Sequence, residues 1–256
     1  MVLLIDKTEL LEQARKRNLT LAMVEKDYVL GWLLFGLTQI KGLVFKGGTA
    51  LSKLYFPEVW RLSEDLDFVF SGDFSKITSQ MNQVFHEIER QSGIKMVLKS
   101  QFSNPEYLQL KIQYQAVLGK NWIKVDVTTE RALEVVERPL KRMYSDYPSV
   151  KIRVESAEEI AAEKLRALIE RKKSRDFFDV WKLMELVDQR KTWNLFLEKC
   201  KVKGIEFSME AMFPSALEET LAPYWERELG RLVYPVPELS KVLRELREWI
   251  EKMTRV

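Results

Sequence analysis

FKGGTALSKLYFPEVWRLSEDLDFVF, residues 45–70, joins a Gly-Gly-Thr turn, a short helical stretch and two aspartates one residue apart. A di-glycine followed by a hydroxyl residue at a helix start leaves backbone N–H groups bare, which suits phosphate oxygens. Strand alternation puts Asp65 and Asp67 on one face and Leu66 on the other. Neighbouring carboxylates repel unless a cation neutralises them. Hard cations such as Mg²⁺ bind carboxylates together with substrate phosphates. A phosphate cradle beside such a pair is the minimum equipment for moving a phosphoryl or nucleotidyl group. Taken singly, each part has a plainer reading: a di-glycine marks a turn, and Asp-x-Asp a solvated strand face.

Upstream, Asp6 with Glu9 resembles a capping box, opening a helix that ends in Arg15-Lys16-Arg17-Asn18. A second helix is expected from about residue 21 to 40, and Leu43-Val44-Phe45 as a buried strand feeding the glycine turn. Its apolar run, residues 28–37, contains two glycines and falls far short of the ~20 residues that span a bilayer. A buried helix is expected there. Downstream, the strand continues through Phe70 and breaks at Ser71-Gly72-Asp73. Ile77, Met81, Val84, Phe85 and Ile88 then trace one face of an amphipathic helix, with His86 off that face.

Strands are expected at 95–100, 107–116 and 122–128. In the second, Leu108, Leu110, Ile112 and Tyr114 point inward; in the third, Asp126 shares the opposite, uncommitted face with Trp122 and Lys124. Asp126 is thus a third acid at mid-strand, although a pairing with Lys124 or Lys111 would also explain it. From about residue 155 the pattern turns helical. Ser156-Ala157-Glu158-Glu159 opens a helix through 173, and a further helix at 176–187 buries Phe177, Val180, Trp181 and Met184. Prolines 214, 223, 235 and 237 punctuate shorter helices before a last one at about 238–253. The fold class is α+β: a mixed-sheet core with two N-terminal helices over 1–150, then an α-helical lobe over 151–256, the boundary near 148–156.

The strand, Gly-Gly-Thr, helix, Asp-x-Asp and later-strand Asp together resemble the polymerase β-like nucleotidyltransferase pattern. The wording of 45–51 and 61–68 resembles one branch of it, the AbiEii/AbiGii (MenT-like) toxin family. Glu25-Lys26-Asp27-Tyr28, Ile160 through Leu168 and Arg175-Asp176-Phe177-Phe178-Asp179-Val180 agree. The resemblance covers about residues 20–190. It implies a polymerase β-like core, transfer of a nucleotidyl group from a nucleoside triphosphate to a hydroxyl, and a neighbouring antitoxin. It also implies the 3′ acceptor end of tRNA as the target.

Carried over residue by residue, it makes Asp65, Asp67 and Asp126 the Mg²⁺ ligands and catalytic acids. Gly47, Gly48, Thr49, Ser63 and Lys164 become nucleotide contacts. Asp179 could orient a base, position Lys164 or hold a metal; Arg175, four residues before it, permits an ordinary intrahelical pair. Arg171, Lys172, Lys173 and Arg175 are a candidate RNA-backbone surface, as is Arg138-Pro139-Leu140-Lys141-Arg142, though the acids Glu158, Glu159, Glu163 and Glu170 dilute the first.

Composition sets only outer bounds. A chain of 256 residues, 46% hydrophobic and 31% charged, is an ordinary globular protein, and a net charge of +3 does not by itself demand a nucleic-acid partner. The single cysteine, Cys200, allows no internal disulfide and suits a reducing, cytoplasmic setting. One histidine, His86, removes histidine triads and multi-histidine zinc sites. No secretory signal opens the chain and no membrane association is expected. Two rival readings remain: nucleotidylation (AMPylation) of a protein hydroxyl, and a non-catalytic nucleotide-binding regulator. The presence of all three acids speaks against the second.

Overall fold

The computed structural model describes residues 4–56 and 61–255, so Pro57–Trp60 within the opening stretch lie outside the described residues. The chain divides into two units, Met1–Glu155 and Ser156–Val256.

The first unit opens with α1 (Lys7–Arg17), where the Asp6 carboxylate accepts from Thr8 N at 2.8 Å, and α2 (Leu21–Leu37). The expectation of a buried helix holds: most of α2 lies inside, Glu25 and Asp27 included. No helix among the described residues is long and apolar enough to cross a membrane. Strand β1 (Val44–Lys46) runs into α3 (Gly47–Ala50), which continues as a π-helical turn over Leu51–Tyr55. Then come β2 (Leu66–Val69), the short α4 (Ser75–Thr78), α5 (Met81–Ser92), β3 (Lys95–Asn104), β4 (Tyr107–Ala116) and β5 (Gly119–Thr128). The amphipathic stripe expected from Ile77 to Ile88 is all buried but is split between α4 and α5; His86 is exposed.

Two strands escape the periodicity: β6 (Val135–Pro139) and β7 (Lys151–Glu155). Residues 151–155, read from sequence as the head of the helical lobe, are instead a strand of the first unit. Both strands are short, and β6 ends in a proline, as edge strands tolerate.

The strands form one mixed sheet in the order β3-β4-β5-β2-β1-β7-β6. β2 runs parallel to β5 and β1 parallel to β7, while the remaining neighbours are antiparallel. Helices α2 and α5 pack on one face of β3–β5, against the inward row Leu108, Leu110, Ile112 and Tyr114.

A buried ionic cluster ties α2 to the glycine element. Asp27, on α2, receives Lys53 Nζ at 2.8 Å and Arg17 NH1 at 2.8 Å, and Lys53 also donates to the Asp27 carbonyl at 2.7 Å. Burial alone would raise the Asp27 carboxyl; Lys53 and Arg17 outweigh it and hold it at about 2. Tyr144 donates to the same carboxylate at 3.0 Å, and Tyr147 to the Tyr28 carbonyl at 2.7 Å. The Glu25-Lys26-Asp27-Tyr28 wording thus has a structural reason here, because Asp27 anchors the turn that follows Gly47-Gly48-Thr49.

The second unit holds α6 (Ala157–Glu170), α7 (Ser174–Leu183), α8 (Gln189–Val202), α9 (Met209–Met212), α10 (Leu217–Leu229) and α11 (Leu239–Thr254). Ser156 caps α6, accepting from Glu159 N at 3.1 Å, as the capping box predicts. The helix stops three residues earlier than expected because Lys172 takes a left-handed backbone at φ 45°. Lys199 on α8 is buried and bonded to Glu159 at 2.7 Å and Glu163 at 3.0 Å, both on α6.

Candidate active site

Sheet register brings the acids together. Asp67 on β2 and Asp126 on β5 are direct partners in a parallel ladder, so their side chains leave the sheet on one face. Asp65 immediately precedes β2, two residues from Asp67 and on the same side. Lys46, the last residue of β1, is the register partner of Asp67 on its other flank. Burial raises the Asp65 carboxyl; Lys124 and Lys26 pull it down, while Asp126 and Glu64 push it further up. Lys26 Nζ also lies 3.3 Å from Glu64 Oε1, tying α2 to this segment.

The glycines are set by contact as much as by turn geometry. Gly47 has φ +76°, and a Cβ there would stand 2.7 Å from Asp67 Oδ2. A Cβ on Gly48 would overlap the guanidinium of the buried Arg61. Gly47→Ala is therefore expected to cost about 1–2 kcal/mol of backbone strain. It should also displace Asp67, lowering turnover by about 10²-fold, since ångström-scale misplacement costs that much. Urea unfolding and steady-state rates measure the two effects separately.

Thr49 departs from its expected role. Its side chain is fully buried, and its hydroxyl donates to the Asp65 carbonyl at 2.5 Å while lying 2.6 Å from Ser63 Oγ. A hydroxyl has one proton, so Ser63 is the donor of that pair. The hydroxyls of Thr49 and Ser63 thus hold the backbone that carries Asp65.

Two residues absent from the sequence expectation complete the site. Tyr107 donates to Asp126 Oδ1 at 2.5 Å, and Gln109 Nε2 donates to the same oxygen at 2.9 Å. Burial, then the bond to Asp126, pushes the Tyr107 phenol up to about 12, so it stays a donor across the physiological range. A signal for them existed. A two-residue connection, Val117-Leu118, fixes the β4–β5 hairpin register with Ala116 opposite Gly119, which sets Gln109 opposite Asp126.

In the second unit, Lys164 Nζ lies between two fully buried carboxylates, Asp176 at 2.9 Å and Asp179 at 3.0 Å. Arg171 grips Asp176 with two bonds of 2.8 Å, its Nε to Oδ2 and its NH2 to Oδ1. Burial would raise Asp176, but Lys164 and Arg171 override it and hold the carboxyl far below the usual carboxylate range. Of the alternatives for Asp179, positioning Lys164 matches the 3.0 Å contact. Within the basic run, Arg171, Lys173 and Arg175 are exposed, but Arg171 serves Asp176 and the half-buried Lys172 donates to the Ile169 carbonyl at 2.7 Å. In the other basic run, Arg138 stacks over the Tyr55 ring at 4.6 Å, and burial, with Arg138 beside it, lowers Lys141 to about 8.

Among the described residues no three His, Cys, Asp or Glu side chains form a ready metal cage. Mg²⁺ does not need one: it takes one or two carboxylates and completes its shell with substrate phosphates and water. The Asp67–Asp126 partnership, with Asp65 on the same face, fits that donor set.

No curated protein matches the chain. Among solved structures, MenT4, a nucleotidyltransferase toxin from Mycobacterium tuberculosis, is similar at 20% identity and TM-score 0.74, covering 98% of this chain and 90% of that one. JHP933 from Helicobacter pylori is similar at 17% identity and TM-score 0.63, covering 93% and 94%. At such identities the likeness speaks for the α+β fold. A family model described as the nucleotidyl transferase AbiEii toxin of type IV toxin–antitoxin systems matches residues 32–252. The chain belongs to the AbiEii family of nucleotidyltransferase toxins.

Proposed function

We propose that the chain transfers a nucleotidyl group from a nucleoside triphosphate to the 3′ hydroxyl of a tRNA acceptor end. The family implies a nucleotide substrate and an antitoxin partner; we place the encounter in the cytoplasm. The observation that carries the reading is the register pairing of Asp67 with Asp126 beside the glycine element.

In this reading the backbone of Gly47-Gly48 contacts the triphosphate. Asp126, held by Tyr107 and Gln109, orients the attacking hydroxyl and receives its proton. The hydroxyl oxygen bonds to the α-phosphorus as the bond to the bridging oxygen breaks, and pyrophosphate leaves. Mg²⁺ held by Asp65, Asp67 and Asp126 would supply neutralisation of phosphate charge in the transition state.

Incubation with each labelled triphosphate, first with total tRNA and then with lysate protein, tests it. The expected result is label on tRNA from a preferred triphosphate, lost on chelation of divalent cations. Label confined to protein would overturn the tRNA acceptor in favour of AMPylation.

A further inference from the structure

The acidic site sits at one end of a sheet face with its own chemistry. Helices α2 and α5 cover only one side of β3–β5. On the other side, Phe102 on β3 lies level with Asp126 and is 59% exposed, while further along Trp122 on β5 and Val97 on β3 lie level with each other and are 38% and 44% exposed. Across these three strands the cations are Lys95, Lys99, Lys111, Lys120 and Lys124, and the sole acid is Asp126.

An ordinary explanation covers part of this. β3 is the edge of the sheet, where lysines guard against pairing with another chain, so Lys95 and Lys99 need nothing more. Lys111 and Lys124 differ. They lie on interior strands as direct register partners on the exposed face, an arrangement that is unfavourable for two like charges. Lys124 has the Asp65 carboxylate to answer its charge. Lys111 Nζ instead lies 4.9 Å from the centre of the Trp122 ring, so a cation and an indole are offered together to solvent. The partner that satisfies both is a chain of alternating anions and flat rings.

We infer that the exposed face of β3–β4–β5 is a platform for a single-stranded polynucleotide whose 3′ end reaches Asp126, with Trp122 stacking a base and Lys111 meeting a backbone phosphate. Trp122 lies four residue steps from Asp126 along the strand, about 13 Å, so the stacked base lies upstream of the terminal nucleotide. The inference deepens the proposed function and depends on it for the identity of the 3′ end. It also relocates the main RNA contact from the basic run at 171–175, where Arg171 is bound to Asp176.

The test is fluorescence anisotropy of the full chain with a labelled single-stranded RNA oligonucleotide bearing a free 3′ hydroxyl, and with its duplex. Trp122→Ala is expected to weaken single-strand binding about tenfold, the loss of one stacked base. Trp122→Phe should retain most of the affinity. Lys111→Gln should reduce the slope of log affinity against log salt by about 0.7, one phosphate contact. Nucleoside triphosphate binding should be unchanged in all three, and both side chains are exposed enough that circular dichroism should be too. Wild-type affinity in both Trp122→Ala and Lys111→Gln overturns the platform, whether or not the chain labels tRNA. Equal, variant-sensitive binding of the duplex also overturns it, as does a variant effect on capture of a protein but not of RNA. If no triphosphate labels RNA while the variants still weaken oligonucleotide binding, the platform stands and the transfer reading fails.

Discussion

Asp67→Asn is expected to abolish nucleotidyl transfer, a loss of about 10³-fold or more, while leaving the first unit folded. Asp67 is the central member of the acidic row. It follows Asp65 by two residues, partners Asp126 in register, and approaches Gly47 so closely that a Cβ there would collide with it. Losing one of the carboxylates that answer phosphate charge removes several kcal/mol of transition-state stabilisation, and each 1.4 kcal/mol is about tenfold. The fold should survive the change. Asparagine is close to isosteric with aspartate, and Asp67 lies on a short strand paired on both sides, to β1 and β5. The unfolding midpoint of Asp67→Asn should therefore stay near that of the wild type. The stabilisation that Mg²⁺ and triphosphate together confer on the wild type should shrink. A variant that is inactive because it is unfolded, or folded and still active, would sink the assignment.

The acids were legible because each depends on a local rule: alternation places Asp65 with Asp67, and a clean hydrophobic row on β5 leaves Asp126 outside the core. Their convergence is not local. It rests on β2 lying parallel to β5 across a long sequence gap, and nothing in either strand encodes that pairing. Residues whose duty is decided by a partner from elsewhere were misread for the same reason. Thr49 looked like a phosphate ligand because it follows two glycines, yet its hydroxyl is consumed by the Asp65 carbonyl sixteen residues on. Asp27 stands in the family wording, and its ties to Lys53 and Arg17 depend on the fold rather than on its neighbours in sequence. Strands β6 and β7 were missed because a short strand offers too few alternations to separate from a loop, and β7 directly precedes a strong helix cap.

Lys164→Met is expected to destabilise the second unit by about 3–5 kcal/mol at neutral pH, because it leaves two buried carboxylates without the ammonium between them. The pH dependence has a definite sign. In the wild type, Asp176 lies below its unfolded value, so its contribution is present above the ordinary carboxylate range and is lost as pH falls through that range. In the variant Asp176 keeps only Arg171, so less of that contribution remains to be lost. The gap between the two proteins, measured by urea unfolding, should therefore narrow as pH falls through the ordinary carboxylate range. A gap that stays constant would remove the ionic account. Loss of activity in Lys164→Met alone is ambiguous, since a weakened unit is also an inactive one. Lys164→Met combined with Asp179→Asn separates the causes: one charge of the facing pair is gone, so much of the stability should return. Transfer should not return, if Lys164 meets the triphosphate. Recovery of both would reduce Lys164 to a bolt between α6 and α7, and the triphosphate would have to find its cation elsewhere.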